Sequence, residues 1–505
     1  MTRVVVNLGL ACATLLSPFA DTLSADPPAP ANQPLPTGAL ARLDTSDSKL
    51  SGTMWSLVFS PDGKTLALGS QTGSFCLWSL EGKMSVRHFG GHDGGALGIW
   101  FSADGKRLAS VGGEGTLRWW DAATGKELKC FGTPRKDIWD SHSVYTAAFT
   151  ADGTKVVLGG WDGDIRIWDS STGKQLHRWN AQERLAVVAI SPDGTLVANP
   201  FQVWDIQGKA VAKLERHGIW KGGQAFSPNG TFLAGLNWGP EVFIWKPTTG
   251  KLLPHLKVNK GMGSAVAFSP NGQTLATAEE GGTVRLWEVR TRQERLVLAG
   301  NVDPVITALA FSPDGRRIAS GDRQAVALVW DATGLADKKA ALPSLQECWT
   351  DLASADAARA YGAIWGLVAN AAKSVVLLGE HLRPVPRVTD EKIKELIADL
   401  DSDQFRVREA ASASLRQLSD LAEPALRKAL ASQPTLEVAR RIEALLGAID
   451  DPSSAPEQLR VERAVEALEH IATQEARNVL KLLAQGAPQA RLTQQAQAAL
   501  KRLDK

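Results

Sequence analysis

The stretch FSPDGKTLALGS, Phe59 to Ser70, decides how the whole chain is read. Alone, Gly63-Lys64-Thr65 has the ending of a phosphate-binding loop, but such a loop needs Gly five positions before Gly63, where Val58 stands. The stretch also recurs. FSADG starts at Phe101, FTADG at Phe149, ISPDG at Ile190, FSPNG at Phe226 and again at Phe268, and FSPDG at Phe311, in steps of 42, 48, 41, 36, 42 and 43 residues. A period near 40 residues marks an array, so the apparent nucleotide grip is one of seven sister turns.

Each copy runs to a Trp, at Trp78, Trp120, Trp168, Trp204, Trp245, Trp287 and Trp330, 19 residues from the leading aromatic six times and 14 from Ile190 once. Asp-Gly or Asn-Gly joins two apolar runs, which predicts a hairpin closed by a tight turn with left-handed dihedrals. A further run, such as Ile165-Arg166-Ile167-Trp168, predicts a strand alternating between inside and outside. A turn of the type Thr-Gly-Lys then leads to a fourth strand. Four short antiparallel strands per repeat, stacked radially, leave only short protected edges.

Trp-Asp at 120, 168, 204 and 330, GGHDGG around His92, and WDGDIRIWDSSTGK from Trp161 to Lys174 resemble the WD-repeat family. The resemblance covers residues 38–334. It implies a seven-bladed propeller whose last blade is completed by an early strand at 39–44, with the repeat Trp residues in the core. It also implies a non-catalytic repeat whose partners dock on the face carrying the loops between strands d and a and between b and c. The family's buried network pairs a Gly-His histidine with an aspartate six residues before the Trp. Here only Asp162 fills that slot, with Thr72, Glu114, Gly281 and Gln324 elsewhere, so His92 with Glu114 and His142 with Asp162 are the expected polar pairs. Packing is therefore expected to outweigh repeated polar networks. Blade four lacks five residues between Ile190 and Trp204, and Asn199-Pro200 shortens its b–c connection.

After Gly334 the Gly-rich turns give way to Ala, Leu, Glu, Arg and Gln at helical spacing. Ser354 is placed to cap a helix, and Arg383-Pro384-Val385-Pro386 breaks helical continuity. Residues 390–431 are similar to a HEAT repeat, with Leu396, Ile397 and Leu400 on one face, Phe405, Val407, Ala410, Ala411, Leu415 and Leu418 on the next, and Asp403, Val407 and Arg408 at the start of the second helix. The fold class expected is thus multi-domain: an all-β seven-bladed propeller over 38–334, then an all-α, HEAT-like helical domain over 335–505.

At the N-terminus, Arg3, the apolar run Val4 to Ala20 and Leu23-Ser24-Ala25 predict a signal peptide over 1–25, and the Pro-rich 26–37 a linker. With that leader the chain resembles an exported bacterial protein of the family, periplasmic or in the cell envelope. Asn7, Ser17 and Pro18 interrupt a segment already short for a membrane span, so no integral span is expected in the mature chain. Lysine plus arginine (56) nearly cancels aspartate plus glutamate (54), which disfavours nucleic acid as a partner. Cysteines 12, 76, 130 and 348 show no zinc or redox spacing, and the last three read as small buried hydrophobes. Asp399, Asp401 and Asp403 imitate a calcium loop, but Gln404 and Ala410 replace its essential Gly and Glu. No metal, cofactor or catalytic residue is assigned.

Trp55 and Tyr145 share one position, four before the strand-a Phe, while Trp161 and Trp238 share another, seven before the repeat Trp. Arg135, Trp139 and Trp220 lie in loops between blades, and all seven are expected on the docking face. The reading is a scaffold for a protein or peptide partner, with a second surface on the helical domain. A propeller hydrolase or lyase with a channel-mouth site, and a cell-wall carbohydrate binder, are the alternatives.

Overall fold

A computed structural model describes residues 34–82, 85–132, 144–182, 187–215, 220–237, 241–254, 256–257, 264–279, 281–300, 305–336, 343–450 and 455–504. The chain divides into two compact units, Met1–Lys338 and Lys339–Lys505.

In the first unit seven antiparallel sheets form a β-propeller. Blade one shows the pattern: strand a is Met54–Phe59, b Thr65–Ser70, c Phe75–Ser79 and d Val86–Phe89, hydrogen-bonded in that order. Blade seven takes Ile306–Phe311, Arg317–Asp322 and Ala327–Asp331 from the end of the unit, and its fourth strand is Ala39–Leu43. That strand runs antiparallel from Ala39 opposite Trp330 to Leu43 opposite Ala327, and Asp44 lies just past it. Inner strands of successive blades lie side by side, and those of blades seven and one close the ring. Across the seam the Thr307 hydroxyl donates to the Met54 carbonyl at 2.6 Å.

Cores form between blades. Val58, Ala67, Phe75 and Leu77 of blade one pack with Ile99, Phe101 and Trp120 of blade two, while Leu57, Phe59, Leu68 and Trp78 face Ala308, Ala319 and Val329 of blade seven. Each sheet therefore buries both faces, which changes the reading of strand c: in Asp164–Asp169, Arg166 is buried as well as Ile165 and Ile167. The charge inside is neutralised, because Arg166 donates to Asp162 at 3.0 Å and lies 3.4 Å from Asp164. Six repeat Trp are buried, and Trp168 is half-buried. Cys76 and Cys348 are buried, but Cys130 is exposed, since the outermost strand of blade two meets solvent.

All seven a–b turns follow one plan. In the first, Gly63 N–H donates to Ser60 O, the Ser60 hydroxyl donates to Asp62 at 2.6 Å, and Asp62 accepts the Lys64 N–H at 3.0 Å. Left-handed dihedrals fall on the glycine alone, with φ between 67° and 72° at Gly63, Gly105, Gly153, Gly194, Gly230, Gly272 and Gly315. A Ser or Thr hydroxyl closes each turn on a side-chain oxygen, so the connection is wider than the two-residue turn anticipated. Lys64 reaches Glu81 at 3.0 Å in solvent and cradles nothing.

Ten helices are described in the second unit. Asp390–Asp399, Phe405–Leu418, Glu423–Ala431 and Leu436–Asp450 share one core built on Ile393, Leu396, Leu415, Leu426, Ile442 and Leu446. The second helix is rotated from the face assigned by spacing: Phe405 is 62% exposed and Ala410 is exposed, with the Arg408 guanidinium over the Phe405 ring. Arg408 is held there because it also donates to Ser402 O at 2.7 Å. The helix Ala357–Ala369 is capped by Asp356 rather than Ser354, since the Asp356 carboxylate reaches the Ala358 and Arg359 N–H groups at 2.9 and 3.2 Å. Arg463 is buried and donates to the carbonyls of Leu352 and Ser354, orphaned at the end of Leu345–Asp351. The segment 399–403 ends a helix, and Asp401 accepts the Thr435 hydroxyl at 2.9 Å.

Candidate partner-binding face

Strand a enters each blade from the d–a loop, and its second residue is singled out by register. Met54 pairs with Ser70 and Ser56 with Gly69, so Trp55 is the extra residue of a β-bulge. Tyr145 is the extra residue between Val144 and Thr146, and Leu97 and Thr307 occupy the same place in blades two and seven. A bulge re-aims the side chain it carries, which no propensity along the sequence reveals.

What the bulge does depends on the side chain. Thr307 reaches the Met54 carbonyl of the next blade. Trp55 likewise leans over the next blade: its ring fills the space a Cβ on Gly95 would need, and its indole N–H is enclosed without a protein partner. Half-buried, Trp55 acts first as filler of the seam between blades one and two. Tyr145 instead meets Trp161 of its own blade, ring centroids 5.1 Å apart and tilted by 50°. Both rings are half-buried, so an aromatic surface stands at the b–c turn of blade three.

Beside it Asp162 accepts the Asp164 N–H at 2.9 Å and pairs with Arg166. Asp164 in turn accepts Arg178 Nε at 2.6 Å and Asn180 Nδ2 at 2.9 Å. Burial pushes the Asp164 carboxyl upward, but the bonds from Asn180 and Arg178 outweigh it and hold it below the usual carboxylate range. Two acids and two guanidiniums thus form a charge-balanced cluster that starts at the residue after Trp161. Trp220 opens strand Trp220–Phe226 of blade five rather than a loop. Arg135, Trp139, His142 and Trp238 lie outside the described residues.

The polar network of blade two is complete. His92 Nδ1 lies 2.5 Å from Glu114, His92 Nε2 lies 2.7 Å from the Ser110 hydroxyl, and Trp120 Nε1 donates to that hydroxyl at 2.8 Å. Thr116 donates to Glu114, and so does the Gly94 N–H, at 3.2 Å. Burial opposes the Glu114 charge, yet the His92 and Thr116 hydrogen bonds win and bring its carboxyl down to about 2. An ionised Glu114 can only accept, so His92 Nδ1 carries a proton and donates to it. All four side chains are enclosed. The network braces a blade and offers a partner nothing.

The family described as "WD domain, G-beta repeat" matches residues 45–79, 83–121, 133–169, 254–288 and 292–331. The chain carries WD40 repeats. The matched segments fall on blades one, two, three, six and seven of the WD40 propeller. The intervening stretch includes blade four, whose b–c connection is shortened. A segment of 75 residues is 37% identical to Protein groucho of Drosophila melanogaster, covering 15% of this chain and 10% of that protein. Among the described residues no group of three or more His, Cys, Asp or Glu is placed to hold a metal ion, and no single helix is long and apolar enough to cross a membrane.

Proposed function

We propose that this WD40 propeller is a non-catalytic scaffold that docks a protein or peptide partner on the d–a and b–c loop face, centred on blade three. The observation that carries this reading is the half-exposed Tyr145–Trp161 pair beside its charge-balanced cluster. Large, stiff aromatic area is the composition of a binding hot spot. WD40 propellers are of a kind typical of interaction scaffolds, which favours the same reading. The helical unit offers a second surface where Phe405 and Leu436 stand 62% and 69% exposed at the starts of two helices of one core.

Crosslinking in the native compartment, followed by mass spectrometry, identifies the partner. The double variant Tyr145→Ala, Trp161→Ala then loses its capture while retaining the wild-type melting transition. Undiminished capture by the folded variant overturns the site. Export is proposed from the leader signals at Arg3, Val4 to Ala20 and Leu23-Ser24-Ala25. N-terminal sequencing of envelope material should begin at Asp26, and an intact Met1 would refute cleavage.

A further inference from the structure

Gln224 lies fully enclosed on strand a of blade five, and neither its amide nitrogen nor its carbonyl oxygen meets a protein partner. The position is apolar in the other six blades. Two residues before the leading aromatic or Ile they carry Leu57, Ile99, Ala147, Val188, Val266 and Leu309. An enclosed carboxamide forfeits strong bonds to water, so an orphan of this kind marks an occupant other than protein.

The neighbouring blade is foreshortened at the same level. Ala198 of blade four pairs with Ala189 as Ala67 of blade one pairs with Val58. Strand b of blade one then continues through Leu68 and Gly69 to Ser70, whereas Leu196–Ala198 stops, and the chain turns at Asn199, Pro200 and Phe201. In blade one that extra length packs on the next blade, since a Cβ on Gly69 would strike Ala96. Inner strands of blades four and five are likewise adjacent, and strand b of blade four ends before the residues that in blade one make this contact. The hydrophobic core at the junction includes Ala189, Ala198 and Phe226, and at the turn the buried Asn199 leaves its Nδ2 without a protein partner.

We infer that the junction of blades four and five is an internal hydration site, anchored by Gln224. The guest must be small, uncharged, and able both to donate and to accept. Water meets both demands of the carboxamide. It takes the place that the missing strand residues fill in blade one.

Magnetisation transfer from water to side-chain amides, measured by NMR on the intact chain, tests the site. A long-lived water should transfer to the Gln224 NH2; the Gln224→Met variant, which has no amide there, identifies that resonance, while the Asn180 side-chain amide of blade three keeps its own. Absence of transfer in the wild type overturns the inference. So does a high-resolution crystal structure that places both amide atoms on protein groups. Should Gln224→Met fail to fold, the wild-type spectrum and the crystal structure decide alone.

Discussion

Glu114 and Asp322 are both enclosed carboxyls, and their neighbours drive them in opposite directions. Glu114 is held at about 2 by His92 and Thr116 against the cost of burial. Asp322 is pushed up to about 6 by burial, only partly offset by N–H groups of Val326 and Gln324 at 2.9 and 2.8 Å and by Arg42. A depressed acid stabilises fully above its unfolded value and loses that contribution as pH falls through its folded value. Glu114 therefore supports the fold down to about pH 4.5 and ceases to by about pH 2. A raised acid behaves inversely: Asp322 weakens the fold above about pH 6, and stability rises as pH falls towards 4. Denaturation midpoints should thus climb as pH falls from about 6 towards 4.5 and decline below about 4. Asp322→Asn keeps the accepting oxygen and should flatten the climb, adding up to about 2 kcal/mol at pH 7; an unchanged profile would remove Asp322 as its source. Glu114→Ala strands His92 and Thr116 and should cost about 3 to 5 kcal/mol in urea titration. A loss under about 1 kcal/mol would mean that packing alone holds blade two.

At the scale of elements, the a–b turn explains why FSPDG recurs. Its glycine adopts φ near 70° in all seven blades, and its hydroxyl and carboxylate or carboxamide satisfy the turn's own N–H groups. Gly63→Ala should lower stability by about 1 to 2 kcal/mol, because a Cβ in that region clashes with its own carbonyl. Lys64→Ala should leave melting and partner capture unchanged, since the side chain is more than half exposed with only Glu81 for company. Nucleotide binding lost in that variant would restore the phosphate-loop reading. Strand boundaries and the turn position were legible because both depend on residues within a few positions. The turn type was not, since Asp-Gly suits both a primed turn and a wider one. Nor was the rotation of Phe405–Leu418, where Arg408 anchors on carbonyls of the preceding segment.

For the propeller unit, ring closure is the decisive event. Strand Ala39–Leu43 pairs with Ala327–Asp331, and on the inner side Thr307 bonds to Met54. Near the a–b turns, Arg317 of blade seven donates to the Gly63 carbonyl at 2.7 Å and lies over the Phe59 ring of blade one. Arg317→Ala should therefore cost about 1 to 3 kcal/mol. It should also speed amide exchange in blades one and seven ahead of blade three; uniform exchange across all blades would show that Arg317 is no clasp.

The sequence by itself determined the seven repeats, their short strands and the helical remainder, because period, spacing and residue type carry those within one repeat; the closing strand and the His92–Glu114 pairing came from the resemblance to WD repeats. Only the tertiary structure decided that Tyr145 meets Trp161 while Trp55 fills a seam. It alone showed that Arg166 is buried between two acids and that Gln224 is left without a protein partner. Those outcomes depend on bulges and on what the adjacent blade presents. That is a property of strands brought together around a ring, and no single stretch of chain contains it.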